Sequence, residues 1–203
     1  MAGGCGRGDR SELGHCGLRG PGRRAPLRHP LTVKPRVVNY LGGYPESLQN
    51  QARELLAQGT LGELLLRKYP KAHDVRSDRA LFDLVQDLRT QHLRGGAAVN
   101  KVCYDSKLQV IAHALGTHTR RAQVQGNQLK ARREIRIATV FREAPPEFLD
   151  MIVVHELAHL KHADHDKAFY QLCTHMLPDY HQLEFDVRLY LTYREAVGPL
   201  PWG

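Results

Sequence analysis

Between Phe148 and Leu160 the apolar residues cover nearly the whole circumference of a helix, the pattern of a helix buried on every side. Pro145-Pro146 suits its start, and Glu147 and Asp150 suit its electropositive first turn. Three shorter helices are expected upstream. One leads from the turn Tyr44-Pro45-Glu46-Ser47 to about Ala57 and Gly59. A second runs from Leu61 to Tyr69 and stops at Pro70. The third is capped by Ser77-Asp78, carries Leu81, Leu84, Val85, Leu88 and Leu93 on one face, and ends at Gly95-Gly96. From Asn100 the period shortens to two. Val102 and Tyr104, Leu108 to His113 and Ala122 to Gln125 read as strands, and Gly126-Asn127 turns into Gln128 to Arg132. Ile135, Ile137, Thr139 and Phe141 alternate with Glu134, Arg136 and Ala138, a half-buried strand. After the buried helix, helical segments are expected from Asp166 to Leu177 and from Tyr180 to Tyr193, divided by Pro178.

The buried helix carries His155-Glu156-Leu157-Ala158-His159, an H-E-x-x-H pattern. Residues four apart share a helix face, so both imidazoles can reach one metal ion from a rigid element. Burial strengthens this reading, because two histidines in an apolar interior need partners. Glu156 would act on a water beside the ion rather than as a ligand. His165 follows His155 by ten residues, the spacing of the third ligand in extended H-E-x-x-H-x-x-G-x-x-H zincins. On a continuous helix His165 would stand about 9 Å beyond His159, out of reach. A zinc site on His155, His159 and His165 therefore requires the helix to break between His159 and His165. Lys161 and His162 suit a last turn, and Asp166 suits the cap of a new helix. His162 replaces the glycine of the extended motif, and His162, Asp164, Asp166 and Glu184 stand as rival third ligands. Three protein ligands with an open fourth position define a catalytic site rather than a structural one.

Charge changes the picture only at one end. Of the formal net charge of +8, residues 1–36 hold eight basic residues against two acidic ones, leaving the remainder with twenty-one against nineteen. The first 37 residues, rich in Gly, Pro and Arg, are expected to be disordered. The tail could be an arm that binds nucleic acid through phosphates, an organelle transit peptide, or an extension without function, and the last is the expectation. Arg23-Arg24 is followed by no apolar stretch that would make an export signal. The nearly neutral body is not expected to bind nucleic acid. No run of eighteen apolar residues suggests a membrane span. Cys5, Cys16, Cys103 and Cys173 form no C-x-x-C and no disulfide framework, which suits a reducing, cytoplasmic location, with Cys173 as a small core residue.

Lys130, Arg132, Arg133 and Arg136 form the body's basic concentration. Such a cluster is ordinarily a solvated face; its functional alternative is a phosphate or acidic-substrate contact. Tyr170, His175, Tyr180 and His181 are candidates to stabilise an oxyanion, each with a core or capping role as its alternative. His73 and His92 read as surface residues, and His113 and His118 are not assigned as ligands.

Several stretches are more specific than the metal motif: Gly43-Tyr44-Pro45-Glu46, residues 114–119, Leu129-Lys130-Ala131, Glu134-Ile135-Arg136, Met151 through His159, His165 through Cys173, and Pro178 through Asp186. On these, residues from about Tyr40 to Tyr193 closely resemble the YgjP-like metallopeptidase-domain family, related to SprT-like and WLM zinc peptidases. The resemblance implies an α+β, zincin-like fold. Its parts would be a helical N-terminal portion, a small, mainly antiparallel sheet, then the H-E-x-x-H helix and C-terminal helices. Residues 38–195 would form the domain, flanked by tails at 1–37 and 196–203. It also implies zinc on His155, His159 and His165 with Glu156 as general base.

Three activities follow as expectations. The leading one is a zinc metallopeptidase, with an edge strand such as 134–141 pairing with an extended substrate. The family also includes proteins described as UTP pyrophosphatases. A metal-dependent nucleoside triphosphate pyrophosphohydrolase is therefore the alternative, with the basic cluster holding phosphates. A non-catalytic zinc-binding module is the third, and it leaves Glu156 without a purpose.

Overall fold

The computed structural model describes residues 39–93, 98–108, 116–125 and 128–203, with 116–125 and 128–132 described through their backbone alone. Three helices come first: α1 (Glu46–Ala57), α2 (Leu61–Lys68) and α3 (Asp78–His92). Gly59 follows α1 with φ of 74°, a left-handed conformation that glycine adopts without the Cβ penalty. Gly62 is needed for closeness: a Cβ there would lie 2.8 Å from the Tyr193 ring. The Ser77 hydroxyl accepts the Ala80 N–H and caps α3 as expected. The stop assigned to Gly95-Gly96 lies outside the described residues, and α3 itself closes at His92.

Strands β1 (Lys101–Asp105), β2 (Gly116–Gln125) and β3 (Gln128–Ala138) form one sheet in the order β1-β3-β2. The sheet is mixed, which corrects the mainly antiparallel expectation. The β2–β3 hairpin is antiparallel, but β1 runs parallel to β3. Alternation identifies strands without saying on which side of β3 the first one inserts. Here Val102 pairs with Ile135 and Tyr104 with Ile137, so the parallel register aligns the buried apolar positions. Ion pairs Lys101–Glu134 (2.9 Å) and Arg136–Asp105 (3.0 Å) bridge the same two strands. The strand expected through Phe141 stops at Ala138, where Thr139–Phe141 coil into one 3₁₀ turn that buries Phe141. The strand expected at Leu108 to His113 and the turn at Gly126-Asn127 lie almost entirely outside the described residues.

Helices α4 (Pro146–Ala158), α5 (Lys167–Met176) and α6 (Tyr180–Ala196) complete the fold. α4 is its centre: every residue from Phe148 to Ala158 except Asp150 is buried. Phe148 meets Tyr69 at 4.7 Å, Tyr190 at 5.8 Å and Trp202 at 6.0 Å between ring centroids, joining α2, α6 and the C-terminal segment around α4. Truncating such a side chain to Ala costs about 3–5 kcal/mol. The buried Asp186 of α6 accepts from the Tyr69 hydroxyl and the Lys68 ammonium, each at 2.6 Å, and ties α2 to α6.

His73 is not a surface residue. Its ring is buried, Nε2–H donates to the Phe141 carbonyl at 2.7 Å, and Nδ1 accepts the Val75 N–H at 3.0 Å. Its backbone N–H donates to the Ala144 carbonyl. The histidine thereby latches the segment between α2 and α3 onto the turn that launches α4. Its placement between Ala72 and Asp74 gave no periodic sign of burial.

Candidate metal centre

α4 holds His155 and His159 one turn apart and then stops. The N–H groups of Lys161 and His162 both turn back to the Ala158 carbonyl, and the chain leaves the helix axis. Asp166 restarts a helix by accepting the Phe169 N–H at 2.8 Å, so His165 sits immediately before the cap of α5. The break that the third histidine requires is present.

The three rings converge. His165 Nε2 lies 3.2 Å from His155 Nε2 and 3.0 Å from His159 Nε2. Ligands about 2.0–2.1 Å from a tetrahedral zinc stand about 3.3 Å apart, close to these separations. The buried Phe169 ring meets all three, at 5.1 Å from His155 and 4.7 Å from His159 and from His165, and forms an apolar floor.

The far side of each α4 ring is hydrogen-bonded. His155 Nδ1 is hydrogen-bonded to the Tyr180 hydroxyl at 2.7 Å, and His159 Nδ1–H donates to the His162 carbonyl at 3.0 Å. The neutral His159 ring therefore presents an Nε2 lone pair toward His165, and His155 turns its Nε2 to the same point. Burial and the neighbouring rings hold His155 far below the usual imidazole pKa, and His165 is lowered by burial and then by His159. Neutral imidazoles aimed at one point are the donor set that a zinc ion takes. The residues present fit the ion.

Glu156 is fully buried, and neither carboxylate oxygen has a hydrogen-bond partner among the described residues. Burial alone pushes its pKa up to about 8. An unpartnered buried carboxylate is costly for folding, so stability does not explain it.

The rival ligands are engaged differently. His162 contributes its carbonyl to His159, Asp166 caps α5, and Glu184 accepts from Arg188 at 2.7 Å. Asp164 is exposed. In the basic cluster, Arg136 is committed to Glu134 and Asp105, while Arg133 reaches the Leu160 carbonyl at 3.5 Å, beside the end of α4. The side chains of Lys130, Arg132 and His118 are outside the description, as is the whole of His113. His175 is exposed on α5, 6.2 Å from His92 between rings, and His92 is half-buried. Sequence reasoning named Tyr180 as an oxyanion candidate rather than as the partner of His155, and missed Phe169; the i, i+4 histidine pattern carries no signal for residues behind it.

The family described as YgjP-like, metallopeptidase domain, matches residues 96–187. A curated relative, the UTP pyrophosphatase of Escherichia coli (strain K12), is 57% identical over 155 residues, covering 76% of this chain and 93% of the relative. The chain belongs to the YgjP-like metallopeptidase-domain family. No solved structure matches it. The family match spans the sheet, α4, α5 and the first half of α6, and so contains the three histidines, Glu156 and Tyr180. This YgjP-like chain is a metal-dependent hydrolase. Among its described residues no helix is long and apolar enough to cross a membrane, and Cys103 and Cys173 are free thiols.

Proposed function

We propose that this YgjP-like chain is a zinc-dependent hydrolase that converts UTP and water to UMP and pyrophosphate. The observation that carries this reading is the 57% identity to a UTP pyrophosphatase across nearly all of that relative. His155, His159 and His165 would hold the ion in a zincin-like arrangement, with the two α4 rings held by Tyr180 and the His162 carbonyl. When bound, zinc supplies Lewis acidity that lowers the pKa of water and polarises a phosphoryl oxygen.

Glu156 accepts the proton of the water that attacks the α-phosphorus. The bond from that phosphorus to the bridging oxygen breaks, pyrophosphate leaves, and the proton passes from Glu156 to solvent. The buried walls of α4 keep the carboxylate in place and deny it other partners. Arg133, held at the end of α4, would meet the triphosphate, whereas the two ion pairs of Arg136 remove it from that role.

Peptide hydrolysis is the second reading, supported by the family's description. One part of the expected peptidase mechanism does not survive. β3 is the central strand, with residues 134–137 paired on both sides, so it has no edge to offer a substrate. A non-catalytic zinc module remains the poorest fit, since it gives the unpartnered Glu156 no function.

Product analysis tests the proposal. Metal-loaded protein should yield UMP and pyrophosphate in equal amounts from UTP. UDP with inorganic phosphate would move the attack to the γ-phosphorus. Cleavage of an unstructured polypeptide without UTP turnover would establish the second reading instead.

A further inference from the structure

A cleft of about 480 Å³ opens between the segment before α1 and the α5–α6 pair, with Tyr170 in its wall. Its size suits a small ligand. Tyr170 joins the cleft to the three histidines: its ring centroid lies 6.3 Å from that of His165 and 5.4 Å from that of His181 on the cleft wall. Tyr44 supplies a further aromatic surface, its ring held against Phe185 at 4.9 Å.

The polar chemistry of the cleft is not that of a phosphate site. Arg188 bonds Glu184 Oε1 through Nη2 at 2.7 Å and Nε at 3.3 Å, and donates to the Tyr40 carbonyl at 3.2 Å. Its charge is thus matched within the wall. Both Glu184 bonds fall on Oε1, so Oε2 remains an acceptor for a hydroxyl or N–H and repels an anion. Flat aromatic surfaces with a carboxylate acceptor suit the uncharged part of a nucleotide, a planar base with a polyol sugar.

We infer that this cleft is the nucleoside subsite, with the base against Tyr170 and the phosphates directed past it toward His155, His159 and His165. The inference rests on the nucleotide reading of the site and adds where the nucleoside lies and which side chain recognises it. Tyr170 is then a substrate-binding residue, and the Gly43 backbone forms part of the opposing wall.

The test measures UMP binding to the metal-loaded full chain by equilibrium dialysis, with inorganic pyrophosphate as a ligand that lacks the nucleoside. Tyr170→Leu removes the ring. Gly43→Leu adds bulk where a Cβ meets no atom within 4 Å, so it narrows the cleft without removing a contact. Both variants should weaken UMP about ten- to a hundredfold while leaving pyrophosphate binding unchanged. UMP binding that neither variant alters would overturn the inference, as would equal losses for both ligands. UTP turnover with cleft-insensitive UMP binding would remove the subsite and leave the hydrolase standing. Cleft-dependent UMP binding without UTP turnover would support the subsite and remove the hydrolase.

Discussion

The Tyr180 hydroxyl stands 2.7 Å from His155 Nδ1, at the first residue of α6, twenty-five positions down the chain. It is fully buried, so its contact with the ring is shielded from water. The contact joins α4 to α6 and holds His155 in its orientation, with Nε2 facing His165.

Removing that hydroxyl with Tyr180→Phe leaves a buried ring nitrogen without its partner. Metal affinity should fall about ten- to a hundredfold, as for other outer partners of ligating histidines. Competition with a calibrated chelator measures this. Unchanged affinity would mean that the contact serves packing alone.

Glu156→Gln should lower hydrolysis about 100- to 10,000-fold while zinc stays at one ion per chain. Loss of the ion would make Glu156 a ligand. Glu156→Leu carries the opposite sign for folding. It removes an unpartnered buried carboxylate, and the melting temperature of the metal-free protein should rise, by about 1–3 kcal/mol of stability.

Much of this centre was legible in the residues. The apolar circumference of α4, the i, i+4 histidines and the need for a break before His165 all follow from helix geometry, and Asp166 announced the restart. The rest depends on contacts that sequence spacing does not encode. His73 is flanked by Ala72 and Asp74, yet two hydrogen bonds from distant and local backbone make it a buried latch. Alternation found β1 and β3, but their parallel pairing depends on which edge of the hairpin was open. Tyr180 and Phe169 look like ordinary core aromatics until the fold brings them against the three histidines.

His73 should give the fold an acid sensitivity of its own. Burial lowers its pKa, opposed by its bond to the Phe141 carbonyl, so the folded state favours the neutral ring. Its stabilisation is present above the unfolded pKa of about 6.5 and is lost as pH falls through the lower folded value. His73→Asn should cost about 1–3 kcal/mol near neutral pH through the lost bond to Phe141. The variant should also flatten part of the decline in melting temperature between neutral and mildly acidic pH. A parallel decline in both proteins would exclude His73 as a contributor.

Zinc should stabilise the folded chain by about 2.7 kcal/mol at a hundredfold excess over its dissociation constant. Alanine at His155, His159 or His165 should each abolish that gain in a thermal melt. Retention of the full gain in any one variant would remove that histidine from the site.

The most direct test of the metal-dependent pyrophosphohydrolase is pyrophosphate release from UTP, measured on wild-type and Glu156→Gln protein that each carry one zinc per chain. Release by the wild type that disappears in the variant and on chelation is the expected result. Equal release by both proteins, or none from fully loaded wild type, would contradict it.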